Sequence, residues 1–172
     1  MNTAMIPTPM QPPVIPPCPI FRISVKRYHD MIQKGALTED DAVELLERWI
    51  VQEMSKNPPH AGIVQRSNRR ITALLPTGME TREQSAVTLK DSEPEPDIAF
   101  VDSSPLDYTD HHPYPADISA LVEVSGSTFG TDRIDKARIY ARAKIPVYWV
   151  NNLIDRQIEV FSDPDAAATP PA

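Results

Sequence analysis

Cysteine is almost missing from this chain: Cys18 stands alone. No internal disulfide can form, and zinc ribbons or fingers built on paired thiolates are excluded. Glycine is scarce too, with five residues in 172. There is no glycine-rich phosphate loop, no G-x-S-x-G elbow and no H-E-x-x-H helix, so nucleotide-binding, serine-hydrolase and zinc-protease chemistry has no local support. No apolar run approaches the roughly 18 residues that cross a bilayer. The N-terminus lacks the basic region and unbroken apolar stretch of a secretory signal, which sets the expectation of a cytoplasmic protein with no membrane partner. Positive charge is in deficit, 17 Lys and Arg against 24 Asp and Glu, for a net charge of −7. That balance argues against a broad basic surface for nucleic acid and leaves room only for a local basic strip.

What is present is a globular composition, 41% hydrophobic and 24% charged, long enough for one domain with tails. Nineteen prolines are the anomaly, and seven of them fall between Pro7 and Pro19. Residues 1–20 therefore read as an extended, disordered leader, 21–164 as the folded domain and 165–172 as a frayed tail. Within the domain, Ser24 caps a helix over Val25 to Lys34 that Gly35 ends, and Thr38 with Asp41 opens a single further turn. Val43 to Met54 reads as one strand. A helix follows Pro58 and Pro59, its apolar side carrying Ile63, Val64, Ile71 and, at its first turn, His60, with Arg66, Arg69 and Arg70 opposite. Ala86 to Lys90 and Asp97 to Val101 read as an antiparallel pair, and residues 103–117 as a loop. Ile118 to Val124 is a strand, Asp132 to Ala143 a helix with Ile134, Ala137 and Ala141 as its apolar side, and Val147 to Val150 and Gln157 to Phe161 close the domain as strands. The order gives an α/β (α+β) fold, a mixed β-sheet flanked by helices.

Three positions invite chemistry, each with a plainer alternative. Alternation places Glu123 near the end of a buried strand, where a carboxylate needs a cation, a donor, or a route to solvent. Asp97 follows Pro96 at a strand start, which by itself reads as a solvated acid in an acidic run with Glu93 and Glu95 rather than as a site. Arg133, Lys136 and Tyr140 recur along one helical stripe, which taken alone is a solvated face. His111 and His112 are adjacent in a loop, so their side chains diverge and a zinc site there is not expected.

Taken in order, Glu44-Leu-Leu-Glu-Arg-Trp-Ile-Val51, Asn57-Pro-Pro-His60, Glu93-Pro-Glu-Pro-Asp97, Leu121-Val-Glu-Val-Ser125, Asp132-x-x-x-Lys136-Ala-x-x-Tyr140-Ala and Ile145-Pro-Val-Tyr-Trp-Val150 resemble the Uma-type restriction endonuclease family of the PD-(D/E)XK nuclease superfamily. The resemblance spans about residues 22–164 and implies a restriction endonuclease-like core. It implies that Asp97 and Glu123 hold a divalent metal, Mg²⁺ or Mn²⁺, with the Val124 carbonyl as a further ligand. Ser125 stands where many superfamily members carry a lysine, and the resemblance supplies Lys136 from the following helix instead. Glu44 matches the acid of the first strand and His60 the histidine that opens the next helix. The implied activity is hydrolysis of DNA, and since cutting both strands of a duplex is easiest with two sites related by a two-fold axis, a homodimer is expected. The alternative is a non-catalytic module that keeps the core and binds nucleic acid or a protein partner. Relatives usually place a glycine after the acid of the first strand, where this chain has Arg48.

Overall fold

The computed structural model describes residues 19–53, 57–104, 107–165 and 167. The leader and the tail assigned from composition, Cys18 and Met54 lie outside the described residues, apart from a few positions at their inner ends.

The first helix, α1 (Val25–Gln33), starts where the Ser24 hydroxyl accepts a hydrogen bond from the Arg27 N–H, and the chain leaves it through Gly35 at φ +68°. A 3₁₀ turn at Glu39–Asp41 follows, closed by the Thr38 N–H donating to the Asp41 carboxylate at 2.6 Å. The single strand expected from Val43 to Met54 is in fact a hairpin, β1 (Val43–Leu46) and β2 (Trp49–Gln52), with Leu46 opposite Trp49. Its two-residue turn, Glu47 and Arg48, has φ of 47° and 71°. Such a turn usually announces itself as Asn-Gly, and Glu-Arg carries no such signal. Distant groups hold it instead: Arg48 N–H donates to the Asp91 carbonyl, Glu47 N–H to the Ser92 hydroxyl, and Arg138 and Arg142 both grip the Glu47 carboxylate.

The helix α2 (Pro58–Thr72) begins as its sequence dictates, with Asn57 accepting from the His60 N–H and two prolines at positions whose N–H groups have no helical partner. Beyond it, β3 (Met79–Glu83), β4 (Ile98–Asp102), β5 (Ile118–Ser125), β6 (Val147–Asn152) and β7 (Gln157–Ser162) form one sheet in that spatial order. Only β5 and β6 run parallel, so the sheet is mixed as expected. The expected strand at Ala86–Lys90 is not one. Val87 and Leu89 are buried in irregular chain that bonds back to Pro94 and Ser92, and the partner of β4 is the polar Met-Glu-Thr-Arg-Glu segment of β3. An edge strand half open to water needs little apolar character, whereas a loop folded under the core needs a good deal.

The crossover from β5 to β6 is a π-helical turn, Thr131–Lys136, running into α3 (Ala137–Arg142). Its phase differs from the α-helical expectation: Ile134 is exposed, while Asp132, Lys136, Ile139 and Tyr140 are buried. The wider π turn rotates Ile134 out of phase with Ala137, while Asp132 and Lys136, four residues apart, keep a common face. Each face of the sheet has its own core. Leu121, Tyr148 and Val150 pack with Ile139 and Tyr140 of α3, while Ile98, Phe100, Val122 and Val124 pack with Val64 of α2. The hairpin and the N-terminus of α2 thus meet the ends of β4 and β5.

Candidate active site

Residues far apart in sequence line one cleft of about 470 Å³: Glu44, His60, Asp97, Glu123, Val124 and Lys136, all six positions singled out from the sequence, with Asp132 beside them. Glu44, Asp97, Glu123 and Lys136 are each no more than 6% exposed, so their charges are balanced by one another rather than by water.

Two linked sets of contacts make up the floor. In the first, one oxygen of Asp97 accepts the Val124 N–H at 2.8 Å and lies 3.0 Å from the His60 Nε2; its other oxygen is 3.5 Å from the Gln84 amide. Pro96 removes a backbone donor just before Asp97 and fixes the direction in which the chain enters β4. The α2 cap places His60 one turn into the helix, with its ring on the side facing the sheet. In the second set, the Lys136 ammonium sits 3.1 Å from Glu123 Oε1 and 3.2 Å from Glu44 Oε2, and the Tyr140 hydroxyl donates to Glu123 Oε1 at 3.1 Å. The Glu95 N–H supports Glu44 Oε2 at 3.2 Å.

Burial pushes Glu123 well above the usual carboxylate range; Lys136 pulls it down, while Asp132, Asp97 and Glu44 push it up again. For Lys136, burial would lower the pKa, but Glu123, Glu44 and Asp132 outweigh it and hold the group above the ordinary lysine range. Lys136 is therefore an ammonium in this arrangement. Tyr140 is raised by burial and by Glu123, and stays a hydroxyl donor. The cleft keeps an excess of negative charge, because its carboxylates face only Lys136 and Arg138 as full cations.

The stripe that in isolation read as a solvated face is buried at Lys136 and Tyr140, while Arg133 pairs with Glu159 on β7. The roles of Asp132, Tyr140 and Gln84 were not read from sequence. Asp132 accepts the Ser125 hydroxyl at 2.6 Å, so Ser125 tethers the crossover at its first turn. Asp132 and Tyr140 stand within the Asp-x-x-x-Lys motif, and that was their available signal; Gln84 had none. His111 bonds its neighbour Asp110, and His112 does not join it around any common point.

The donors in the cleft are hard oxygens of Asp97 and Glu123 with the backbone of Val124 between them, and there is no sulfur. That chemistry suits a small divalent cation of the magnesium type. Among the described residues no group of three or more His, Cys, Asp or Glu side chains forms a ready cage.

Residues 25–171 match the Uma2 family, described as "Putative restriction endonuclease". The fold resembles that of a crystal structure titled as a putative nuclease belonging to DUF820 from Anabaena variabilis ATCC 29413, with a TM-score of 0.60 and 16% identity over 87% of this chain and 89% of that one. No curated protein matches the sequence.

Proposed function

The chain belongs to the Uma2 family, and from that premise we propose that it hydrolyses DNA phosphodiester bonds as an endonuclease dependent on Mg²⁺ or Mn²⁺. The observation that carries this reading is the convergence of Asp97, Glu123, Glu44 and Lys136 on one acidic cleft. Asp97, Glu123 and the Val124 carbonyl would hold the ion. Two carboxylates with a carbonyl would leave about half of the ligand positions of a magnesium ion to water and phosphate oxygens. When bound, the ion supplies charge neutralisation at the phosphate and a nucleophilic water near neutral pH.

The chain's own groups do the rest. Lys136, held protonated by two carboxylates, places a fixed positive charge at the cleft floor and stabilises negative charge developing on phosphorus-bound oxygens. An ammonium held in that state is a poor proton acceptor, so general-base duty does not fall to it. Glu44 shares Lys136 with Glu123 and aims the ammonium between them. His60 and the Val124 N–H fix the Asp97 carboxylate, and Tyr140 fixes Glu123. Cutting both strands of a duplex is simplest for two copies related by a two-fold axis, and a homodimer is part of the proposal.

Supercoiled plasmid incubated with pure protein and Mg²⁺ or Mn²⁺ gives nicked and linear products, and EDTA, Asp97→Ala or Glu123→Ala removes them. Cutting that survives both substitutions refutes the assignment. Calorimetric titration with Mn²⁺ separates the non-catalytic alternative: a nuclease site binds the ion and loses it in Asp97→Ala, a structural core binds none.

A further inference from the structure

From Asn57 to Met79 the chain contains no Asp or Glu, yet it carries Arg66, Arg69 and Arg70, all on α2. In a molecule with a net charge of −7 this is an unusual concentration of one sign. The three arginines are exposed. None of them enters an ion pair or hydrogen bond among the described residues, whereas Arg133, Arg138 and Arg142 are each neutralised by a carboxylate.

Their place on the helix is specific. The buried side of α2 is marked by Val64, with His60 in phase with it one turn earlier. One flank is tied to β3, where Asn68 donates to Glu83 and Thr72 bonds Thr81. At 100° per residue Arg69 lies on the outer side, and Arg66 and Arg70 lie on the flank turned away from β3. The same flank carries Gly62 nearer the cleft, where a Cβ would have nothing within 4 Å, so that end of the strip is open. At about 1.5 Å per residue the arginines stand roughly 9–15 Å along the helix from His60, about the axial length of three to four base pairs.

We propose that Arg66, Arg69 and Arg70 form the strip by which this protein grips the phosphate backbone of duplex DNA and delivers it to the cleft. The proposal rests on the nuclease reading of that cleft. A cleft in which carboxylates outnumber cations repels a polyanion, so the affinity for DNA has to come from outside it. The α2 strip is unneutralised, free of interspersed acid, and begins at the helix whose first turn supplies His60. Arginine forks suit phosphate oxygens, and contacts of this kind position the duplex without reading its sequence. Of the other exposed cations, Lys26 is paired with Asp30, Arg22 and Arg27 lie over the Trp49 and Phe21 rings, Arg48 bonds the Arg22 and Ile23 carbonyls, and Lys34, Lys90, Lys144 and Arg156 stand far from one another in the chain.

Fluorescence anisotropy with a labelled 20-base-pair duplex in EDTA, over a series of NaCl concentrations, tests the strip without any cutting. Arg66→Gln/Arg69→Gln/Arg70→Gln is compared with Lys34→Gln/Lys144→Gln/Arg156→Gln, which removes the same charge elsewhere. All six positions are exposed, and circular dichroism verifies the folds. The wild-type protein and the control bind alike. The α2 variant binds at least tenfold more weakly at 100 mM salt, and the slope of log K against log salt becomes shallower by about 0.9 for each phosphate that the variant no longer neutralises. In plasmid cutting with Mg²⁺ the α2 variant raises KM and leaves kcat near the wild-type value. An α2 variant that matches the control overturns the strip and leaves the nuclease reading standing. Binding lost only in the α2 variant, with no cutting by any protein, supports the strip and overturns the nuclease reading. A wild-type protein that binds no duplex at any salt overturns the strip.

Discussion

Lys136 has carboxylate oxygens of Glu123 and Glu44 at 3.1 and 3.2 Å and is 6% exposed. Removing its charge leaves two buried carboxylates facing each other. Lys136→Met is expected to abolish cutting and to cost about 3–5 kcal/mol of stability near neutral pH. The sign of its pH dependence follows from linkage. Burial already raises Glu123, and without the ammonium the folded protein binds more protons than the unfolded one above the ordinary carboxylate range, so stability falls as pH rises. Denaturant unfolding of this variant at pH 5 and pH 8 should show the larger stability at pH 5. In the wild-type protein, a divalent cation held at Glu123, as proposed, would favour the ionised form of this raised carboxylate. Titrations with Mn²⁺ in buffers of different ionisation enthalpy should therefore report proton release and an affinity that rises with pH. The residue types of this site were legible in the sequence as a set of motifs. That Lys136 is buried was not, because a helical stripe of Arg, Lys and Tyr reads the same whether it meets water or two carboxylates.

At the scale of elements, the β1–β2 hairpin brings Glu44 to the site and turns through two residues in a left-handed backbone conformation. Arg48, at φ 71°, pays a steric cost that glycine does not. Its guanidinium contacts, at 3.4 and 3.3 Å to Ile23 and Arg22 carbonyls, are long and exposed. Arg48→Gly is expected to stabilise the fold by about 1 kcal/mol, read as a higher midpoint in urea with an unchanged m-value. The neighbouring Glu47 is held below the ordinary carboxylate range, first by its hydrogen bond from Arg138 and then by the charges of Arg138 and Arg142. A depressed carboxylate contributes stability that is present above its unfolded pKa and is lost as pH falls through the folded one. Glu47→Gln should cost about 1 kcal/mol at pH 7 and almost nothing at the acid end, flattening the acid limb of the stability profile. The hairpin was invisible in the sequence for the same reason that it needs these ion pairs: Glu-Arg has no intrinsic preference for the turn it makes. The starts of α1 and α2 were legible because Ser24 acts on an N–H group three residues away and because Pro58 and Pro59 suit positions where no helical N–H is needed, whereas the Asn57 cap emerged only from the structure.

The cleft is lined by more carboxylates than cations, and the proposed dication would relieve that charge in the folded state alone. Mg²⁺ or Mn²⁺ should thus raise the thermal midpoint, by the equivalent of about 2.7 kcal/mol at a hundred times Kd, and Asp97→Ala should abolish the rise. Differential scanning calorimetry with and without EDTA measures it. Strand β5, helix α2, a helix at α3, the mixed sheet and the six positions that line the cleft, Glu44, His60, Asp97, Glu123, Val124 and Lys136, were legible in the sequence, since each rests on local periodicity, on prolines at a helix start, or on ordered motifs. The tertiary structure decided what depends on neighbours distant in the chain. It chose polar β3 as the partner of β4, folded the apolar 86–90 segment under the core, and set a π-helical phase in which Ile134 faces out and the face of Asp132 and Lys136 turns inward. Burial is shared between elements, and a strand edge, a loop and a helix face take their character from what comes to lie against them.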